Sequence, residues 1–320
     1  MLAKLQFIFL AVPLCVSAQA WLFPKGEGTV AFSYQNLFVR DHVYSNGEAV
    51  DVGHILSHAL TIDLDYSLTD RLALRVTLPY IAAKYDGTKP HQLPFDNGRY
   101  NSGFQDVTVD LRYNLVRRKA MLTPFFRAVI PSHSYEYFGH SAVGRDLHEY
   151  HIGTNFGRRL DPILPRAYFQ GRYSYAFVER ILGIRPNHSN AEFQLGYFLT
   201  PRFSLLALGQ WMHTYDGVEL LNGVFHAGLP DDQWHHHDQI GKATLLDLGG
   251  GAVWAVNRSL QLFASVGRSI EGTNGHLHAA VITIGVGRTF GGKSEARNDF
   301  SRLDEPEPRK AFVCACARSN

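Results

Sequence analysis

The chain has 320 residues and carries 31 Lys and Arg against 29 Asp and Glu, a formal net charge of +2. This near-neutral balance argues against a nucleic-acid partner, which needs a clustered basic excess, and no stretch reaches the ~20 consecutive apolar residues of a membrane-spanning helix. Aromatic residues make up 12% of the chain, which argues against intrinsic disorder.

The first twenty residues have the pattern of a secretory signal peptide. Lys4 provides the positive start, residues 7–16 are apolar, and Ala18-Gln19-Ala20 is a small-residue cleavage site. We therefore predict a leader over residues 1–20, an exported protein and a mature chain that begins at Trp21. A lipid anchor at Cys15 is disfavoured, because Leu14 stands where such a site has a small residue.

The cysteines lie outside the patterned part of the chain. Residues 21–290 contain none, which excludes a disulfide scaffold. Residues 291–320 show little apolar periodicity and are predicted to be a disordered polar tail. Cys314 and Cys316 lie in this tail, and two thiols are too few for a closed zinc site. We predict no cofactor and no metal site.

Between residues 28 and 290 the dominant pattern is alternation of apolar and polar residues, which indicates β-strands. Leu60, Ile62 and Leu64 alternate with Asp63 and Asp65, for example. Twelve such segments are predicted at residues 28–37, 56–67, 71–84, 103–115, 120–131, 148–159, 166–178, 189–199, 203–214, 242–255, 259–270 and 276–290.

The length of these segments predicts the fold class. Strands in soluble proteins average ~5 to 6 residues, whereas strands that cross a bilayer need ~9 to 11. The segments end in aromatic residues, and short connections alternate with long polar ones, as in outer-membrane barrels. We predict an all-β fold over residues 21–290: a transmembrane antiparallel β-barrel of about 12 strands in the cell outer membrane. Its short turns would be periplasmic and its long loops extracellular, with membrane lipid around the wall.

Two segments resemble known barrel families. Residues 283–290, with Thr283, Gly285 and Phe290 in place, resemble the C-terminal assembly signal of outer-membrane barrels, which implies the barrel-assembly machinery as a partner. Residues 103–115, with Gly103, Asp106 and the pair Arg112-Tyr113, resemble a strand of the outer-membrane transporters of the phenol meta-degradation pathway. This resemblance implies a channel for small molecules, with small apolar or aromatic compounds as solutes.

The polar positions of the strands project into the predicted lumen. The candidate lumen-lining residues are Arg75, Asp106, Asp110, Arg112, Arg127, Arg172 and Glu192. Such charges either pair with one another and brace the wall or contact a passing solute. The first hypothesis for function is a channel or transporter for a small-molecule solute, and a closed barrel whose external loops bind a partner is the alternative.

An outer-membrane hydrolase ranks third, and we predict no enzyme. Asn187-His188-Ser189-Asn190 is similar to the active-site segment of an outer-membrane phospholipase class. Adjacent residues of a strand point to opposite faces, so His188 and Ser189 should not form a catalytic pair. Trp234-His235-His236-His237-Asp238 suggests weak metal binding, but we interpret it as a polar external loop.

Overall fold

The computed structural model describes residues 20–117 and 119–291, with only the backbone at residue 41. The predicted leader up to residue 19 and the tail from residue 292 lie outside the described residues.

The wall consists of twelve strands: β1 Gly28–Val43, β2 His54–Ser67, β3 Leu72–Asp86, β4 in two segments, Asn101–Phe104 and Val107–Tyr113, β5 Ala120–Ile130, β6 Glu149–Arg159, β7 Ala167–Val178, β8 His188–Thr200, β9 Phe203–Thr214, β10 Thr244–Ala255, β11 Leu260–Thr273 and β12 Gly275–Phe290.

These strands form one closed sheet. Each strand pairs antiparallel with its neighbours in the sequence, and β12 returns to pair with β1 from Gly28↔Phe290 onward. Closure leaves no strand edge with unpaired backbone groups, which is a requirement inside a bilayer. The prediction of a twelve-stranded antiparallel barrel is confirmed.

The connections differ at the two ends of the barrel. Residues 68–71, 160–166, 201–202 and 256–259 make short turns at the end that also holds Gly28 and Phe290. We call this the short-turn end. Longer connections at residues 44–53, 87–100, 131–148, 179–187 and 215–243 make up the opposite end, the loop end.

Several elements at the loop end extend beyond the sequence prediction. β1 runs to Val43 instead of ending at residue 37, and β11 and β12 meet in a hairpin at Asn274. Asn274 has a φ of 68° and Gly275 a φ of 145°, and Asn followed by Gly is the pair that tight hairpins favour. The last long loop contains the short helices α1 Asp231–His235 and α2 His237–Ile240. In the described part of the chain, no helix is long and apolar enough to cross a membrane.

The two faces of the wall differ in chemistry. Large apolar side chains on the outer face are exposed, including Leu60 at 59% and Ile152 at 60%. Aromatic residues such as Tyr113, Tyr197 and Trp254 stand near the strand ends on that face. The alternate positions point inward and are mostly buried. An apolar belt with aromatic margins around a closed sheet defines a membrane barrel of the outer-membrane type.

The belt leads to a prediction for Leu195, which lies near the middle of β8 on the outer face and is 38% exposed. Leu195→Arg should lower the free energy of unfolding in lipid vesicles by about 2–4 kcal/mol, because it places a cation in the bilayer core. Leu199→Arg, near the short-turn end of the same strand and face, should cost only about 0–1 kcal/mol. Urea titration of both variants measures the difference, and equal costs would contradict the assignment of this face to lipid.

Candidate functional site in the barrel lumen

A row of opposite charges crosses four neighbouring strands of the inner wall. Asp65 on β2 lies opposite Arg75 on β3, Arg75 opposite Asp110 on β4, and Asp110 opposite Arg127 on β5. Side chains directly opposite one another in an antiparallel pair are within interaction distance. The alternating signs therefore place each charge beside an opposite one.

Asp110 is the centre of this row. Its carboxylate accepts hydrogen bonds from Arg127 Nε at 2.5 Å and Nη2 at 3.0 Å, and from Arg172 Nη2 of β7 at 3.1 Å. The Asp110 side chain is 1% exposed and that of Arg172 is 2% exposed. One buried carboxylate thus balances two buried guanidinium groups.

A second layer of pairs lies beside the first. Arg75 Nε donates to Asp63 Oδ2 at 2.8 Å, and Thr77 Oγ1 donates to the same oxygen at 2.7 Å. Arg112 pairs with Asp65, both side chains being 1% exposed. These contacts brace β2, β3 and β4 from the inside.

In two charged side chains of the lumen, Arg172 and Glu192, one polar atom can accept a further partner. Arg172 lies opposite Glu192 of β8, and its guanidinium stacks on the Phe125 ring at 3.7 Å. Within the described residues, Arg172 Nη1 and Glu192 Oε2 are buried without a hydrogen-bond partner. Buried polar atoms are nearly always hydrogen-bonded, so these two atoms suit a solute or water.

Toward the loop end, the lumen holds a further polar group. Glu149 pairs with Arg145, accepts a contact from His151 Nε2 at 3.2 Å, and lies 3.6 Å from His188 Nε2. Asp106 lies between the two segments of β4 and accepts a hydrogen bond from Tyr135. Tyr135 and Arg145 belong to the long loop at residues 131–148, so this loop folds inward.

The lumen also holds an apolar cluster, which was not predicted from the sequence. Leu37 and Val39 of β1 form a buried cluster with Leu206 and Leu208 of β9, although β1 and β9 are not neighbours in the sheet. The cluster therefore packs inside the barrel. The available signal is the continuous apolar run over residues 205–208, which makes both faces of β9 apolar.

The segment before β1 enters the lumen from the short-turn end. The Ala20 carbonyl accepts hydrogen bonds from Thr123 Oγ1 at 2.6 Å and Asn114 Nδ2 at 3.2 Å, and its amide donates to Gln170 at 3.1 Å. Leu22 and Phe23 are buried. We call residues 20–25 the N-terminal segment, and it fills part of this end of the lumen. If the leader is cleaved after Ala20, as predicted, the new amino group at Trp21 lies beside these partners.

The structure brings most of the predicted lumen residues into one network. Arg75, Asp110, Arg127 and Arg172 meet around the central row, and Arg112 joins through Asp65. Glu192 faces Arg172, whereas Asp106 belongs to the group near the loop end. Sequence reasoning omitted Arg145 and the N-terminal segment, because strand periodicity carries no information on how loops and termini fold inward. It also omitted Glu149, although this residue begins β6 and lies within a predicted strand.

The hydrolase hypothesis gains no support from His188 and Ser189. His188 faces inward to Glu149, whereas Ser189 lies on the outer side, where its hydroxyl contacts Tyr173 at 2.8 Å and Tyr215 at 2.9 Å. Ser189 is fully buried under these rings. The two residues therefore cannot act as a nucleophile and its base.

The fold and the two faces define the class: this chain is an outer-membrane β-barrel. It is similar to the crystal structure of an outer membrane channel from Pseudomonas putida F1, with a TM-score of 0.66 and 16% identity over 86% of this chain and 99% of that one. It is more distantly similar to the translocator domain of the autotransporter NalP from Neisseria meningitidis, with a TM-score of 0.48 and 13% identity over 83% of this chain and 89% of that one. No protein-family model and no curated protein matches the sequence.

Proposed function

We propose that this barrel is a passive outer-membrane channel that lets small molecules cross through its lumen. The observation that carries the proposal is the mixed inner wall, with an apolar sector at β1 and β9 and a charged sector centred on Asp110. A barrel of twelve strands is wider than the eight-stranded barrels whose interior side chains alone fill. Solutes would pass beside the charged sector, and the apolar sector, the N-terminal segment and the long loops would narrow the route.

The solute class we propose is small aromatic compounds that carry a polar or ionised group. The apolar sector suits the ring, and Arg172 Nη1 and Glu192 Oε2 suit the polar group. The Phe125 ring beneath Arg172 adds an aromatic surface at the same point. The resemblance of residues 103–115 to the transporters of the phenol meta-degradation pathway favours the same class.

Two segments of the sequence would deliver the chain to the outer membrane. The leader at residues 1–20 would direct export, and the segment at residues 283–290 would be recognised by the barrel-assembly machinery. In this proposal the short-turn end faces the periplasm and the loop end faces the exterior.

Uptake into proteoliposomes tests the proposal. With benzoate as the probe at neutral pH, we expect faster uptake than into protein-free liposomes, and faster than that of a small sugar. Arg172→Gln should slow benzoate uptake severalfold, because it removes the cation of the charged sector that has a nitrogen without a hydrogen-bond partner. Arg159→Gln is the matched control, since Arg159 pairs with Asp161 at the exposed short-turn end.

The alternative is a closed barrel whose loops bind an external partner. The segment buried at the short-turn end and the inward fold of residues 131–148 favour it. Uptake of both solutes at the protein-free rate, by protein shown to be folded, would overturn the channel proposal and leave this alternative in its place.

A further inference from the structure

Five histidines and an aspartate from five separate parts of the chain meet at the loop end. His42 lies on β1 and His276 on β12, beside the seam where the barrel closes. His91, His140 and the pair His237-Asp238 come from three different long loops. We call these six residues the loop-end histidine cluster. None of them belongs to the charged row of the lumen.

Three of these side chains have the spacing of ligands to one metal ion. His42 Nε2 lies 3.3 Å from His140 Nδ1 and is in direct contact with His276 Nε2, and one nitrogen from each ring lies within 4.8 Å of the others. Zinc–nitrogen bonds of about 2.0–2.1 Å place two ligands of a tetrahedral ion about 3.3 Å apart. The His42–His140 distance matches this spacing, and the three rings lie close enough together to share one ion.

The hydrogen bonds of His140 leave the correct nitrogen available. Its Nε2 is 3.1 Å from the Lys89 carbonyl oxygen, to which it donates, so Nδ1 keeps the lone pair that faces His42. A metal-binding histidine commonly donates its second ring nitrogen to a backbone carbonyl in this way. Asp96 accepts hydrogen bonds from the backbone amides of His91 and His140, both at 3.0 Å, and holds the two loops together.

A second ligand set lies against the first. His237 Nδ1 donates to the Trp234 carbonyl at 2.6 Å, which leaves Nε2 facing Asp238 Oδ1 at 3.3 Å. His91 Nδ1 is 3.5 Å from Asp238 Oδ2, and neither atom has a hydrogen-bond partner in the described part of the chain. The His91 side chain is 6% exposed, so this is a buried polar atom that an ion would satisfy.

The side chains of the loop residues also suit a cation. His140 and His237 each donate one ring nitrogen to a backbone carbonyl, so the other nitrogen of each ring can offer a lone pair. Asp238 adds a carboxylate beside His91 and His237. The cluster therefore offers imidazoles and one carboxylate, the ligand types that zinc and similar divalent ions prefer.

We propose that the loop-end histidine cluster binds a divalent transition metal ion such as Zn²⁺. His42, His140 and His276 would bind the ion directly, and His91, His237 and Asp238 lie beside them as a second set of potential ligands. The ion would tie three external loops to the β1–β12 seam. This proposal does not depend on solute passage, and metal binding alone tests it. It differs from the sequence-based prediction, which considered only the consecutive residues 235–237 and treated them as a polar external loop. The sequence pattern carries no information on how the loops and the β1–β12 seam come together.

The test uses the full chain without a polyhistidine tag, with Cys314→Ser and Cys316→Ser to remove the tail thiols as ligands. Equilibrium dialysis against Zn²⁺ should give at least one bound ion per chain, and His42→Ala and His276→Ala should each reduce affinity at least about ten-fold, as loss of one ligand predicts. His235→Ala is the matched control, since His235 is exposed and next to the cluster in sequence, and it should bind as the parent does.

Two further measurements keep the proposal open to refutation. Co²⁺ bound to the parent protein should show visible absorption of a tetrahedral site, which needs no variant that folds. His188→Ala removes a residue of a potential ligand group outside the cluster, Glu149, His151 and His188, and should leave affinity unchanged. No bound zinc and no cobalt absorption, or loss of binding in His188→Ala with retention in His42→Ala, would overturn the proposal.

Discussion

Replacing Asp110 with alanine is expected to lower the free energy of unfolding by about 3–5 kcal/mol, because it leaves two buried guanidinium groups without their shared carboxylate. Arg127 and Arg172 both donate to Asp110, and Arg172 is 2% exposed. Asp110 is therefore the counter-charge of two arginines at once. Urea unfolding in lipid vesicles, followed by tryptophan fluorescence, measures the loss.

Two companion variants make the Asp110 result interpretable. Asp161→Ala breaks an ion pair with Arg159 in which the side chains are 44% and 33% exposed, and should cost no more than about 1 kcal/mol. Asp110→Asn keeps the side-chain shape, and its loss of unfolding free energy should lie between those of the two alanine variants. It provides a measurement at this position if Asp110→Ala does not insert into the vesicles. Similar stability of Asp110→Ala and Asp161→Ala would contradict the central role of the charged row.

The second large effect is expected from the N-terminal segment. Deletion of residues 21–25, with the leader retained, should speed the swelling of proteoliposomes in small sugars severalfold, because it removes buried apolar side chains from the short-turn end of the lumen. Leu22 is 8% exposed and Phe23 is 7% exposed. A narrow section limits the flux through the whole pore, so opening it affects every solute.

Single substitutions separate occlusion from a loss of folding. Phe23→Ala should give an intermediate swelling rate, whereas Lys25→Ala, whose side chain is exposed in the same segment, should match the parent. Heat-dependent gel mobility shows whether each variant is folded. Swelling of the folded deletion variant at the parent rate would show that the segment does not limit passage.

The strands and their inward face were predictable because the side-chain period of a strand is two. A shift of one residue would move Asp63 and Asp65 into lipid and Leu64 into the lumen, so the pattern allows only one phase. The interactions within the lumen were less predictable. That Asp110 serves both Arg127 and Arg172 depends on the curvature of a closed sheet, which brings β4 and β7 within reach across the interior.

Features that depend on distant contacts left no local signal. His42 and His276 become neighbours only because β12 closes against β1, and His140 reaches them through a loop whose path alternation does not describe. The apolar cluster that joins Leu37 and Val39 of β1 to Leu206 and Leu208 of β9 likewise reaches across the lumen. The predicted β1 ended too early, at residue 37. Past that residue its pairing with β12 continues through register shifts, and these disturb the period of two on which the prediction depends.

Single-channel recording of the intact protein in planar bilayers shows directly whether the interior of this barrel conducts. We expect discrete current steps from the purified, folded chain, with unitary currents that grow when residues 21–25 are deleted. A folded, membrane-inserted protein that gives no current steps, with or without that segment, would contradict it.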